Sequence, residues 1–253
     1  MFVLAHPVGH VRASAVMNAH FESIGKNVAV SPLHVAPEDL GAVLGAIRKM
    51  RNVIGFGVTI PHKIEVIKHL DEVTATARDV GAANFVRREE SGRLVGDNID
   101  GAGFVAGLAR NGVSPAGKSI LQIGAGGAGR AVAFALAAAG ARELHIANRD
   151  SAKAQALAEA VSKAHPGCTT VSGPFDVRRL DIIVNTTSVG MKETDPLPVE
   201  IDGIGPDTVV ADVIMTPPVT PLIARAAAMG CKSIGGKIML DEQMKLVEKF
   251  VLA

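Results

Sequence analysis

Short apolar runs alternate with segments of helical periodicity along the first hundred residues. The strand-like runs are 2–5, 28–34, 55–60, 83–87 and 93–96, and the helix-like segments are 13–24, 38–50 and 63–70. Strands separated by helices favour a mainly parallel sheet in an α/β domain. The chain therefore opens with an α/β domain of about a hundred residues.

A helix-like segment at 101–112 and a turn-rich joint at 111–117 lead into a second series of the same kind. Its predicted strands are 119–123, 143–147, 181–185 and 208–214, and its helices are 128–139, 151–164 and, amphipathic and last, 240–252. In open α/β sheets ligands bind beyond the carboxyl ends of the strands, so the polar segments 185–188 and 212–216 are expected to face a ligand. We predict two domains, residues 1–101 with 237–253 and residues 102–236, the second a Rossmann domain.

The second series begins with a glycine loop of the form G-x-G-x-x-G, formed by Gly124, Gly126 and Gly129. In such a loop one glycine makes the tight turn, one lets a pyrophosphate approach the backbone, and one packs the helix on the strand. Amides at the following helix start favour an anion. The strand, loop, helix and strand in sequence therefore predict dinucleotide binding.

Composition excludes several other classes of protein. The net charge of +1 shows no basic excess for nucleic acid, and no apolar run approaches the ~20 residues that span a bilayer. Cys168 and Cys231 stand far apart, which predicts neither a disulfide framework nor a metal site. The chain contains no tyrosine, which excludes the acid/base of short-chain dehydrogenases. We expect a cytoplasmic protein that binds neither nucleic acid nor membrane.

Seven motifs in order resemble the shikimate dehydrogenase family over nearly the whole chain. They are Gly57-Val-Thr-Ile-Pro-His-Lys63, Gly81-Ala-Ala-Asn84, Gly96-Asp-Asn-Ile-Asp-Gly101, Gly124-Ala-Gly-Gly-Ala128, Asn148-Arg149, Asn185-Thr-Thr-Ser-Val-Gly-Met191 and Gly236-Lys-Ile-Met-Leu-Asp-Glu-Gln243. The resemblance implies a substrate domain followed by a nicotinamide-nucleotide domain, an NAD(P)-dependent dehydrogenase of aromatic amino acid biosynthesis, and a small hydroxy-acid substrate. It leaves a monomer and a homodimer both open.

The resemblance also implies roles for individual residues. Lys63 and Asp100 match the family's catalytic pair, and Thr59, Asn84 and Gln243 match positions that hold the substrate's hydroxyls. Oxidation of an alcohol needs a group that takes its proton, and a positioned side chain typically contributes ~10²–10⁴-fold.

The cofactor expected from the resemblance is NADP, with NAD as the alternative. The residues expected to contact it are Gly124, Ala125, Gly126, Gly127, Ala128, Asn148, Arg149, Lys153, Thr187, Val213 and Gly236. Arg149 and Lys153 favour a 2′-phosphate. Asp150 is either an acid that would repel this phosphate or the N-cap of the next helix.

The chain departs from the family at the end of the pocket that holds the substrate carboxylate. Family members usually carry Ser-x-Ser where this chain has Val11 and Ala13, a threonine at Ile99 and a tyrosine at Met215. Each lost hydrogen bond to a charged group costs ~1.5–3 kcal/mol unless Arg12 or Ser14 offsets it. We therefore expect a shifted substrate near Val11, Ala13 and Met215.

Several identities remain open for that substrate: an aminoshikimate, a quinate-like ring, a less acidic polyol, or shikimate itself held by a rearranged grip. Another alternative is a nucleotide-binding regulatory protein without turnover. The proton-transfer pair argues against that last reading, because a pure binding module does not need one.

Overall fold

Two six-stranded sheets organise the chain in the computed structural model, which describes residues 1–9 and 11–252. The chain divides into two compact units, Met1–Asp100 with Leu240–Ala253, and Gly101–Met239. Each unit contains one of the sheets.

The first sheet has the strand order β2-β1-β3-β5-β6-β4. The elements of this unit are β1 Phe2–Ala5, α1 Ala13–Ser23, β2 Ser31–His34, α2 Leu40–Ile47, β3 Gly55–Val58, β4 Glu72–Val73, α3 Ala75–Val80, β5 Phe85–Arg88 and β6 Leu94–Asp97. Three of the five pairings are parallel, and β5 pairs antiparallel with both β3 and β6. The prediction of a mainly parallel α/β sheet is confirmed. The antiparallel pairing of β5 with β6 follows from the hairpin around Gly92, which has φ +89°.

One predicted helix in this unit is wrong in type. The segment predicted as a helix at 63–70 forms a 3₁₀ helix at Glu65–His69. The backbone carbonyl of Lys63 accepts from the amide of Ala83 at 2.8 Å, so it is used by a distant segment. The sequence pattern also missed β4 and α3, which are too short to show a period.

The second sheet is parallel throughout, in the order β12-β11-β10-β7-β8-β9. The elements of this part of the chain are α4 Asp100–Arg110, β7 Ser119–Ile123, α5 Gly127–Ala138, β8 Glu143–Ala147, α6 Ser151–Ala164, β9 Thr169–Val171, β10 Ile182–Asn185, β11 Val209–Asp212, α7 Pro221–Ala228 and β12 Lys232–Ile234. The last helix, α8 Lys237–Val251, belongs to the first unit from Leu240 onward. Read from β9, the order is that of a doubly wound dinucleotide-binding sheet, with its reversal between β7 and β10. The prediction of a Rossmann fold is confirmed.

Each sheet packs against its own core. Leu4, Leu44, Phe56 and Val86 are buried in the first, and Leu121, Ile183, Val210 and Leu222 in the second. Among residues 1–9 and 11–252, the helices are all too short or too polar to cross a membrane.

Candidate active site

The centre of the first unit's polar site is an ion pair between the Lys63 ammonium and the Asp100 carboxylate, through Oδ2. Lys63 follows β3 and Asp100 follows β6. The two side chains are 14% and 5% exposed, so the pair is largely withdrawn from water. A buried pair of this kind requires further hydrogen bonds to offset its lost hydration.

Two amides supply those hydrogen bonds on the other carboxylate oxygen. Asn84 Nδ2 donates to Asp100 Oδ1 at 2.8 Å, and Gln243 Nε2 donates to the same oxygen at 3.1 Å. Asn84 is itself oriented, because its Oδ1 accepts from the backbone amide of Ile99 at 2.9 Å. The structure thus brings four of the predicted site residues, Lys63, Asp100, Asn84 and Gln243, into one network.

The loop that carries Lys63 is held by backbone and histidine contacts. The Thr59 amide donates a hydrogen bond to the Leu4 carbonyl at 3.0 Å, and the Thr59 carbonyl accepts one from the amide of His62 at 2.9 Å. His62 is buried, and its Nε2 bonds the Val35 carbonyl at 2.9 Å. Burial lowers the pKa of His62, which favours the neutral ring. Thr59 therefore lies on a fixed loop, four residues before Lys63.

The segment with the unusual apolar residues lies at the same edge of the first sheet as this loop. Val11 and Ala13 are half-buried where α1 begins, while Arg12 is exposed and Ser14 is buried. Strand β1 runs into this segment beside β3, and the His6 amide donates to the Ile60 carbonyl at 3.1 Å. Ile99 is buried directly before Asp100, and its amide donates to Asn84 Oδ1.

The glycine loop of the second unit has the three properties expected of a dinucleotide site. Gly124 has φ +112°, and a Cβ there would collide with the Thr186 hydroxyl. A Cβ on Gly129 would collide with the Gly124 carbonyl. Gly126, the N-cap of α5, has no protein atom within 4 Å of such a Cβ among the described residues. The turn, the close packing and the open cradle are therefore all present, with Gly127 and Ala128 in the first turn of α5.

The carboxyl end of β8 is tied to this loop through Asn148. Its Oδ1 accepts from the amide of Ala125 at 3.3 Å, and its Nδ2 donates to the Asp150 carbonyl at 2.9 Å. Asp150 is the N-cap of α6: its carboxylate accepts from the Lys153 amide at 3.3 Å and lies 3.6 Å from the Lys153 ammonium. Arg149 is exposed beside them. The helix-cap contact expected of Asp150 is present, and the same carboxylate lies beside a cation that is expected to bind the 2′-phosphate.

The carboxyl ends of β10 and β11 are joined by a buried carboxylate. Asp212 Oδ2 accepts from Asn185 Nδ2 at 3.2 Å and from the Thr220 hydroxyl at 2.8 Å, and Oδ1 accepts from the Ile214 amide at 2.8 Å. Asn185 Oδ1 accepts from Thr187 at 3.0 and 2.7 Å. These bonds shape the two loops that follow the strands.

The predicted residues Val213, Met215 and Gly236 lie in or against those loops. A Cβ on Gly236 would collide with the backbone of Val213, which explains the glycine. Met215 is half-buried in the loop after β11. It belongs to the second unit, whereas the Lys63 and Asp100 pair belongs to the first.

The buried carboxyl of Asp212 is expected to make the unfolding free energy depend on pH. Burial raises the pKa of its carboxyl above the ordinary value, outweighing the hydrogen bonds that lower it. A raised folded-state pKa contributes stability below the unfolded pKa, and this contribution is lost as pH rises through the folded value. The difference in unfolding free energy, wild type minus Asp212→Asn, is therefore expected to shrink upward from about pH 4. Urea titrations of both proteins between pH 4 and 8 measure it, and a difference that grows with pH would contradict it.

One residue beside the glycine loop was missed by the sequence analysis. Gln122 is 0% exposed in β7, and its amide nitrogen contacts two carbonyls of the loop. The available signal was a single polar residue inside an otherwise apolar central strand, Ser-Ile-Leu-Gln-Ile.

Comparison with known proteins identifies the family. Residues 3–86 match the family model described as shikimate dehydrogenase substrate binding domain, and residues 108–192 match the one described as shikimate / quinate 5-dehydrogenase. A relative in Geobacter metallireducens, named shikimate dehydrogenase (NADP(+)), is 40% identical over 95% of this chain and 86% of its own length.

Solved structures agree over almost the entire chain. A shikimate dehydrogenase crystallised with NADP⁺ is 34% identical, with a TM-score of 0.92, over 99% of this chain and 88% of its own. A 5-ketofructose reductase of Gluconobacter sp. strain CHM43 is 33% identical, with a TM-score of 0.87, over 99% of this chain and 91% of its own. The resemblance drawn from the motifs is confirmed, and the chain belongs to the shikimate dehydrogenase family of NAD(P)-dependent oxidoreductases.

Proposed function

We propose that this protein transfers hydride between NADP(H) and a ring hydroxyl or ketone of shikimate or a related cyclic polyol acid. The observation that carries the proposal is the buried pair of Lys63 and Asp100, held by Asn84 and Gln243. Reduction of a ketone requires a proton donor beside the carbonyl oxygen, and oxidation of the alcohol requires an acceptor there. Lys63 Nζ carries such a proton, and Asp100 is the hydrogen-bonded partner with which it is shared.

The amides have a second task in this proposal. Asn84 and Gln243 fix Asp100 in one position, which keeps the ammonium of Lys63 in one direction. A proton donor held in place contributes more than a mobile one, because little orientational freedom is lost at the moment of reaction. Thr59 lies four residues before Lys63 on the same loop, and we expect it to form, with these side chains, the polar end of a site for substrate hydroxyls.

The second unit would hold the nucleotide. When bound, the nicotinamide ring supplies or accepts the hydride. The open cradle at Gly126 and the first amides of α5 suit a pyrophosphate, while Arg149 and Lys153 at the end of β8 suit a 2′-phosphate. The relatives whose names specify NADP support this choice.

Asp150 is expected to weaken the preference for NADP over NAD. Its carboxylate lies 3.6 Å from the Lys153 ammonium and so competes with a phosphate for that cation. We expect Asp150→Ser, which retains a capping hydroxyl, to raise the ratio of kcat/KM for NADP to that for NAD several-fold. Arg149→Ala is expected to lower the same ratio about tenfold or more, since a charge-assisted bond is lost. Steady-state rates with each cofactor measure both, and an unchanged ratio in both variants would place the 2′-phosphate elsewhere.

A second candidate substrate is a neutral polyol or keto sugar. Val11 and Ala13 offer no hydroxyl to a carboxylate, and they are half-buried at the sheet edge shared by the Lys63 loop. One relative covering almost the same length is named a 5-ketofructose reductase. A substrate without a carboxylate would match an apolar end of the site better than shikimate does.

A substrate panel tests these proposals. Absorbance at 340 nm follows NADP(H) and NAD(H) turnover with shikimate, quinate, aminoshikimate and, in the reducing direction, dehydroshikimate and 5-ketofructose. Robust kcat/KM on shikimate supports a rearranged carboxylate grip, and turnover confined to the neutral sugar supports the second candidate. Cofactor binding without turnover of any of these compounds would instead support a nucleotide-binding protein.

Two further predictions accompany the proposal. Cys168 and Cys231 are buried free thiols, which accords with a cytoplasmic location, and fractionation of cells followed by immunoblotting tests this location.

A monomer or a homodimer is expected in solution, and light scattering distinguishes them.

A further inference from the structure

The glycine loop is braced from within the sheet by a single buried amide. Gln122 Nε2 donates to the Gly124 carbonyl at 2.9 Å and to the Gly129 carbonyl at 2.8 Å. One acceptor lies where β7 ends, and the other lies in the first turn of α5. The glutamine thus connects the two sides of the loop that lies between strand and helix.

The same side chain also contains an atom that lowers the stability of the fold. Its other atom, Oε1, is buried and has no hydrogen-bond partner among the described residues. The two carbonyls fix the amide's orientation, since only the nitrogen can donate to them. A buried acceptor without a partner destabilises a fold, and an apolar side chain of the same size would avoid this loss. The two hydrogen bonds from Nε2 stabilise the fold and the unpaired oxygen destabilises it by a comparable amount, so stability alone does not require a glutamine here.

Loop geometry supplies the reason. A peptide is planar, so a carbonyl held inward forces the next amide N–H to point away from it. The Gly124 carbonyl is held by Gln122 and, at 3.2 Å, by the Thr186 hydroxyl, and the following amide, that of Ala125, points to Asn148. The Gly129 carbonyl lies in the first turn of α5, where the next amide, that of Arg130, donates to the Gly126 carbonyl at 2.8 Å. A glycine-rich loop has few side chains with which to hold itself, so these bonds hold its two ends, between which the amides of Gly126, Gly127 and Ala128 lie.

We propose that Gln122 is a positioning residue for pyrophosphate binding, which fixes the amides of the glycine loop before the nucleotide arrives. The inference rests on the proposed nucleotide site in the second unit. It predicts that loss of the glutamine weakens nucleotide binding while the stability of the fold changes little.

The test is Gln122→Met, which keeps the length of the side chain and removes both the donor and the unpaired oxygen. Titration calorimetry is expected to show a Kd for NADP⁺ raised about tenfold, because two hydrogen bonds no longer hold the loop. The melting temperature is expected to stay close to that of the wild type, because the lost hydrogen bonds and the removed unpaired oxygen offset each other. Adenosine 2′-monophosphate, which lacks the pyrophosphate, is expected to bind both proteins equally.

Leu121→Met is the matched control, since Leu121 is fully buried next to Gln122 in β7 but belongs to the apolar core. It is expected to leave the Kd for NADP⁺ unchanged. Equal NADP⁺ affinity in Gln122→Met and wild type would overturn the inference while leaving the nucleotide site intact. A lower melting temperature with equal weakening of both ligands would overturn it as well, by showing a merely structural role. Wild-type protein that fails to bind NADP⁺ would instead refute the proposed nucleotide site and the inference with it.

Discussion

Replacement of Lys63 by methionine is expected to lower kcat about 10²–10⁴-fold, the range that a positioned proton donor contributes. Nζ is the only group of this side chain that carries a proton to donate, and methionine retains most of the apolar stem. The variant leaves Asp100 without its cation, so some loss of stability is expected as well. Rates are therefore measured below the variant's melting temperature, at saturating substrate and cofactor.

Lys68→Met is the matched control for this experiment. Lys68 follows Lys63 by five residues and is 70% exposed, pairing with Glu65 on the surface. It is expected to retain wild-type kcat, since an exposed pair of this kind contributes little. NADP⁺ affinity is expected to be unchanged in both variants, because the residues proposed to hold the nucleotide lie in the other unit. Full turnover by Lys63→Met would remove this lysine from the proton-transfer step.

Introduction of two hydroxyls, Val11→Ser with Ala13→Ser, is expected to raise kcat/KM for shikimate about a hundredfold. A hydrogen bond to a charged group contributes ~1.5–3 kcal/mol, and 1.4 kcal/mol corresponds to a factor of ten. Both positions are half-buried at the start of α1, where a serine would be partly shielded from water. The same change is expected to leave kcat/KM for a neutral keto sugar unchanged or lower.

Ala15→Ser, on the exposed side of α1, controls for the general effect of a serine in this helix. It is expected to change neither rate constant. If the double variant gains nothing on shikimate while the wild type already turns it over efficiently, the carboxylate is held by another group. Arg12→Ala and Ser14→Ala then identify that group by the loss of shikimate turnover.

Local patterns in the chain were sufficient for most of the second unit. The predicted strand 143–147 and the predicted helix 151–164 have the bounds found in the structure. Both lie between clear turn residues, and an apolar period repeats along the helix. Shorter elements such as β9 and β12 were missed because three residues cannot display a period.

For the candidate site, too, the sequence predicted some features and only the structure showed the others. Motifs identified Lys63, Asn84, Asp100 and Gln243 as members of one site, but the order of their contacts was not in the sequence. Gln243 contacts an acid 143 residues before it, and this contact exists only because the last residues of the chain belong to the first unit. No sequence motif predicts a role for Gln122, because that role depends on two carbonyls that lie next to its side chain only in the folded chain.

By itself, the sequence determined the two α/β series, the glycine loop and the family, because periodicity, turn residues and short motifs are properties of neighbouring positions. Only the tertiary structure decided the mixed first sheet, the cap made by Asp150, and the four-residue network around Asp100. The physical reason is that a carboxylate withdrawn from water must be paired and hydrogen-bonded. The partners that satisfy it come from three separate segments, and their meeting is a consequence of packing.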